Sequence, residues 1–320
     1  MAEMRTWRRL TRTWIFFVFV TLVGLGSYLY YSVAHAFTSR ILVTTGMILS
    51  PKALSAPLGG SMLSVLKVCL VFLAFDTLAR DHRNRIHEVV STQPLSNLEL
   101  LVGRTLGMAV LAWIPVFAIA ILVLAIGSVS AEFGWWTSDV EPVSFAAMVL
   151  VDVPVSLLQW CALIILLAVV LRYRPVIAIA GFTLAGLSEW AATVTPLYLI
   201  PILGFGSLLV SDMMPVFLDG TAIAQRLSSL AVSAGLLVVA AVLYPRLDGA
   251  SRPIRLGTGA TLVGIGAAGL AGIAVSAKGD LTARENWTAV HRPLAGLTRA
   301  DVERVTANVV IEPGKLAWNS

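Results

Sequence analysis

Three ionisable side chains, Lys67, Asp152 and Glu189, stand inside long apolar stretches of this chain. A charge in hydrocarbon is costly unless it is paired or faces water, so such residues mark ion or substrate paths by default. At about 1.5 Å per helical residue, Lys67 and Asp152 each fall roughly 13 Å inward from the outer ends of their stretches, a similar depth at which they could form a pair. Glu189 falls about 21 Å from the inner end of its own stretch, again in the outer half. The expectation is a water-accessible substrate path or gate lined by Lys67, Asp152 and Glu189. The plain alternative is a buried structural ion pair. Asp152 and Glu189 would serve acid–base catalysis in an intramembrane enzyme only if both reached one substrate proton, and nothing in their spacing shows that they do.

A second constellation lies between Asp76 and Gly107, where DTLARDHRNRIHEVVSTQPLSNLELLVGRTLG interrupts the apolar pattern with Arg80, Asp81, His82, Arg83, Arg85, His87 and Glu88. Ile86, Val89, Val90, Leu95, Leu98, Leu100 and Leu101 are interleaved with these charges, and Pro94 divides two short helix-capable pieces. Ser96 and Asn97, followed by Glu99, have the spacing of an N-terminal cap for the second piece. The pattern predicts an amphipathic elbow against the inner membrane interface with a protruding turn. A solvated connecting loop is the bland alternative.

The elements that must position these groups follow from composition. The chain has 320 residues, of which 58% are hydrophobic and only 13% charged, with mean hydropathy +0.85; soluble proteins hold about 25% charged residues. It reads as an all-α polytopic membrane protein, because backbone polar groups in lipid must be satisfied within each segment and no barrel-like alternation occurs. Seven stretches are long enough to cross the hydrocarbon: 14–35, 58–78, 105–129, 143–171, 175–195, 227–244 and 256–276. A further apolar stretch, 196–210, is broken by Pro201 and Gly204.

Positive residues near span ends are retained in the cytoplasm. With the N-terminus inside, the inner segments hold Arg5, Arg8, Arg9, Arg12, Arg80, Arg83, Arg85, Arg104, Arg172, Arg174, Arg246, Arg252 and Arg255, whereas the outer loops hold Arg40, Lys52 and Arg226. Trp135 and Trp136 suit an outer interfacial belt. The net charge of +5 therefore reports topology and not nucleic-acid binding. Arg-rich residues 5–12, an apolar run and Ala34, His35, Ala36 imitate a signal peptide, but the run exceeds the usual apolar core of about 7–15 residues. Cleavage would leave the downstream topology unchanged.

Residues 1–276 read as one transmembrane domain and residues 277–320 as a polar extracytoplasmic tail, possible start of a larger domain. In that tail Thr298 has the position of a cap for a short helix through Glu303, and VTANVVI alternates like a strand before Pro313 and Gly314. A lone hairpin is marginal, so this segment needs something to lean on.

Asp81, Arg83, Glu88, Val89, Ser91, Pro94, Ser96, Asn97, Leu98, Leu101, Gly103, Arg104 and Gly107 resemble the membrane subunits of ABC-2 type transporters, with an RD-rich stretch, an L-x-S-x-P-x-S-like phrase and a G-R-x-L-G phrase after the second span. The resemblance extends over residues 1 to about 245 and is close over 76–115. It implies that Asp81, Arg83, Glu88, Val89, Ser91, Pro94, Ser96, Leu98 and Arg104 form a coupling helix that docks on a separate ATP-binding cassette ATPase subunit. It further implies a second permease copy, as homodimer or heterodimer, in the cytoplasmic (inner) membrane of a bacterium. ATP and magnesium would belong to the partner, and this chain would carry no cofactor and no catalysis of its own. The interrupted stretch 196–226, with Pro196, Pro201, Gly204, Gly206 and Pro215, looks like the family's re-entrant outer element. The chain departs from the family in its seventh span and outer tail.

The phrase STQPLSNLELLVGR is similar to the subgroup of permeases associated with M1-type aminopeptidases, but no HExxH motif occurs. A membrane scaffold for an extracytoplasmic peptidase domain, or a seven-span receptor, are the alternative functions. No G-x-x-x-x-G-K-[ST] phosphate loop occurs either, so energy must arrive through a partner. Gly264, Gly266 and Gly269 match G-x-G-x-x-G inside the seventh span, where small residues predict close helix packing and not a dinucleotide site. Cys69 and Cys161 lie within spans and form no CxxC motif, and His35, His82, His87 and His291 are scattered.

Overall fold

The structure is a computed structural model and describes residues 11–44, 55–83, 96–133, 141–171, 173–196, 199, 220–244 and 252–292. Among the described residues the regular structure is helical, with no strand. Seven long helices account for it: α1 Thr11–Thr44, α2 Ser55–Arg83, α3 Asn97–Glu132, α4 Pro142–Leu171, α5 Arg174–Val194, α6 Gly220–Leu243 and α7 Arg252–His291. Each coincides with one of the apolar stretches. Among the described residues α1, α3, α4, α6 and α7 contain segments long and apolar enough to cross a membrane, and α2 and α5 contribute the shorter apolar helices Leu58–Ala74 and Pro175–Ala191. These five apolar helices are consistent with a membrane-embedded protein.

Local chemistry sets the helix starts. Ser96 precedes α3 and makes a reciprocal capping box with Glu99. The Ser96 N–H and Oγ donate to Glu99 Oε2 at 2.8 and 2.9 Å, and the Glu99 N–H donates to Ser96 Oγ at 3.2 Å. Glu141 caps α4 by accepting the Ser144 N–H at 2.6 Å, with Pro142 in the first helical position. The cap expected at Ser96 and Asn97 is therefore present, but it does not open a short elbow piece. It starts a helix that continues without interruption to Glu132. Helix α7 likewise runs on to His291, past the expected end at 276. The tail strand and the Thr298 cap lie outside the described residues.

Direction follows from the contacts. Phe16 stacks on Phe72 while Gly24 lies against Met62, so α1 and α2 are antiparallel. Gly59 meets Met148 and the Lys67 carbonyl meets Trp160, so α2 and α4 run parallel. Trp113 reaches Val149 while Val102 shares a cavity with Leu158, which makes α3 and α4 antiparallel. Val71 lies against Gly181 and Lys67 bonds Glu189, which makes α2 and α5 antiparallel. Asp152 meets Arg226 and Leu158 lies beside Leu230 and Ala234, so α4 and α6 run parallel. Gly235 meets Gly259 and Ser228 meets Gly266, so α6 and α7 are antiparallel. Successive helices thus alternate in direction.

Helix α4 is the hub, packed against α2, α3, α5 and α6. It contains a π turn, Met148–Asp152, immediately before Pro154. The Val153 N–H donates to Met148 O, five residues back; continuing that pattern would require an N–H from Pro154 to Val149 O, which proline lacks. The Trp113 indole Nε1–H from α3 fills this gap, donating to Val149 O at 2.8 Å. The π turn absorbs the proline, and an aromatic donor on the neighbouring helix satisfies the freed carbonyl.

Small residues set the α6–α7 approach. A Cβ on Gly235 would stand 2.7 Å from the Gly259 carbonyl oxygen, and one on Gly266 would stand 2.5 Å from that of Ser228. Gly269 also faces Ser228, whereas Gly264 meets nothing within 4 Å. Close packing by the G-x-G-x-x-G run is thus present at two of its three glycines. The chain divides into two compact units, Met1–Ala277 and Lys278–Ser320, and the bundle belongs to the first. In the second, Trp287 stacks on His291 with ring centroids 4.2 Å apart.

Two outcomes are expected in detergent–SDS unfolding titrations. Trp113→Phe destabilises by about 1–3 kcal/mol by orphaning Val149 O. The penalty shrinks in a Pro154→Ala background, where residue 154 regains its N–H; an equal penalty in both backgrounds would refute the coupling. Gly266→Leu costs about 1–3 kcal/mol through overpacking, whereas Gly264→Leu stays within about 0.5 kcal/mol.

Candidate functional site

The structure buries Lys67 and Asp152 as expected but gives each a different partner. Lys67, in the middle of α2, sends its ammonium to Glu189 Oε1 at 2.7 Å and to Ser188 Oγ at 3.2 Å, both on α5. Asp152 pairs with Arg226 of α6. The expected Lys67–Asp152 pairing is therefore replaced by two pairs, because equal depth does not make two side chains face each other. Depth is set by position along a helix; partnership is set by rotation about it.

Arg226 is the residue that the sequence reading misplaced. Assigned to an outer loop, it lies within α6, which begins at Gly220, and is 3% exposed. A signal was available: Arg226, Ser229 and Ser233 recur at helical spacing, and a buried Asp152 requires a cation. All three are buried on α6.

The two pairs differ in setting. In the Asp152–Arg226 pair the side chains are 2% and 4% exposed, so both charges are removed from solvent. In the other pair the Lys67 side chain is 9% exposed but that of Glu189 is 49% exposed. Trp160 ties the hub to α2, its indole Nε1–H donating to the Lys67 carbonyl oxygen at 2.9 Å. Lys67 is thereby the point where α2, α4 and α5 are joined by polar bonds. Asp152 and Glu189 each have a cationic partner on a different helix, an arrangement that stabilises both carboxylates.

The coupling residues are divided by the structure. Asp81 and Arg83 occupy the end of α2, with side chains outside the described set, and Glu88, Val89, Ser91 and Pro94 lie outside the described residues. Ser96 is the cap of α3. Leu98 and Arg104, expected on a protruding elbow, instead belong to the bundle: Leu98 packs against the core and Arg104 is 6% exposed. Asn97 is also buried and donates from Nδ2 to Ala241 O at 3.3 Å, which pins the start of α3 to the end of α6. Leu98 further lines an apolar cleft of about 300 Å³ between α3, α4 and α6. The interrupted element at Pro201, Gly204, Gly206 and Pro215 is outside the described residues. No cluster of metal-ligating side chains occurs among the described residues.

Asp152→Leu and Arg226→Met are each expected to destabilise by about 3–5 kcal/mol, because each strands a buried charge. The double variant Asp152→Leu/Arg226→Met should recover most of that loss in the same unfolding titration; additive losses would show that the two charges do not act as a pair. No family model, no curated protein and no solved structure matches the chain, so its functional reading rests on its own residues and geometry.

Proposed function

We propose that this chain is the membrane-spanning permease subunit of an ABC-2 type transporter. It crosses the bilayer seven times from a cytoplasmic N-terminus and works with a separate ATP-binding cassette ATPase and a second permease copy. The observation that carries the reading is the continuity of α3 from its Ser96 cap into the bundle. The segment bearing the resemblance to ABC-2 permeases is joined directly to a single long helix, which runs from Asn97 past Trp113 and carries Pro115 in its middle before ending at Glu132.

Force applied by an ATPase to residues 84–95 would enter the bundle through that helix. Asn97 bonds α6 at the same end, and Trp113 bonds the hub α4 about halfway along. Displacement of α3 would therefore load α4 and α6, the helices that hold Asp152 and Arg226. Lys67, Asp152 and Glu189 would act as paired charges that keep the path closed at rest, separating when the helices shift. Substrate chemistry is left open by this reading, since paired charges of both signs select no particular class.

A photo-crosslinking amino acid at Val89, introduced into the full chain in its native membrane, should capture an ATP-binding cassette subunit. A membrane-impermeant reagent should label Arg83→Cys, in a background lacking Cys69 and Cys161, only from the cytoplasmic side. Labelling from the outer side, or capture without any ATPase, would overturn the proposal.

A further inference from the structure

Facing polar stripes line the α4–α6 interface. On α4, Asp152, Ser156 and Gln159 recur at i, i+4 and i+7; on α6, Arg226, Ser229 and Ser233 recur at i, i+3 and i+7. The helices run parallel, with Asp152 against Arg226 near the start of both stripes and Leu158 beside Ser233 near their ends. The six residues are between 0% and 7% exposed. Such alignment places the stripes against each other along about two helical turns.

Direct bonds do not saturate them. Arg226 Nε and Nη1, Ser156 Oγ, Gln159 Oε1 and Ser229 Oγ have no hydrogen-bond partner among the described residues. Ser233 is satisfied, donating to Ser229 O at 2.8 Å. A buried polar atom without a partner costs about 1–3 kcal/mol, and a run of them would be incompatible with a stable dry interface. The inventory contains guanidinium donors, an amide acceptor and two hydroxyls able to do either. Asp152 already neutralises the charge of Arg226, so the seam offers little net attraction to a free ion. A neutral ligand that both donates and accepts, and is small enough for a helix interface, fits this set.

We propose that the α4–α6 seam is a binding site for a short chain of water molecules, bridging Arg226 to Ser156, Ser229 and Gln159 inside the membrane. Water in this position satisfies the orphaned groups and hydrates the ion pair. It also lowers the cost of separating Asp152 from Arg226, because each charge keeps a hydrogen-bonding neighbour when the other moves. The seam is thus a wet slip plane between two helices that are otherwise packed through apolar side chains.

Water-to-protein magnetisation transfer in solid-state NMR tests this on the full chain in phosphatidylcholine–phosphatidylglycerol bilayers, with nitrogen-15 in arginine and tryptophan. The Arg226 guanidinium signal, assigned by sequential correlation and checked by its disappearance in Arg226→Lys, should receive magnetisation from water. The Trp160 indole, buried and bonded to the Lys67 carbonyl, should receive far less and serves as the dry reference. Transfer to Arg226 should be lost or reduced several-fold in Ser156→Ala/Gln159→Leu. Transfer to Arg226 no faster than to Trp160 would overturn the proposal, as would transfer unchanged in the double variant. If that variant does not fold, the comparison of Arg226 with Trp160 in the unaltered chain decides. No ATPase or transport substrate enters the measurement, so its outcome is independent of the transporter reading.

Discussion

Removing a carboxylate and a guanidinium from water together is tolerable only when each stays within reach of the other, and Asp152 with Arg226 imposes that condition on the bundle. The pair lies between α4 and α6, which run parallel. A parallel pair requires the chain between them to travel back, and α5 does so, antiparallel to α2 and held there by the Lys67–Glu189 bridge. The second ion pair therefore secures the return path that the first one needs. Charged residues in this protein fix which helices are neighbours, while dispersion and small-residue packing fix how close they come.

The hub helix shows how one local defect is converted into tertiary structure. Pro154 would break an ordinary helix, yet the π turn before it and the indole of Trp113 leave no carbonyl stranded. That repair adds a bond between α3 and α4 which regular helices would not have made. Trp160 does the same between α4 and α2 by bonding a main-chain carbonyl at Lys67. Two tryptophans, apolar in body and polar at one atom, thus cross-link a core built mainly from aliphatic side chains.

The cap at Ser96 links these features to the proposed mechanism. A capping box stiffens the first turn of α3, and Asn97 bonds it to the end of α6. In the proposed mechanism an input at that end would be carried along one helix and delivered to the two helices that share the buried pair. The apolar cleft between α3, α4 and α6 and the polar seam between α4 and α6 meet at Ser233. Dry and wet surfaces therefore adjoin at the contact through which such an input would pass.

Helix class, the positions of seven apolar helices and the Ser96 cap were legible in the residues, because hydropathy, helical period and capping are sums over near neighbours along the chain. The small-residue packing of α7 was legible for the same reason. The partners of Lys67, Asp152 and Glu189 were not. Depth along a helix can be counted, but the direction a side chain faces depends on the helix's rotation and neighbours, which distant segments decide. Arg226 was misplaced because α6 begins at Gly220, seven residues earlier than its apolar run, and an arginine reads as the end of such a run unless a distant carboxylate is there to receive it. The burial of Arg104 and the half-burial of Leu98 were not legible for a related reason: their charged and mixed surroundings read as an interface, whereas packing against other helices sets how far each is covered. The sequence by itself thus determined what the helices are. The tertiary structure alone decided which charges meet, since partner choice in a low-dielectric interior is a property of the assembled helices and not of any one of them.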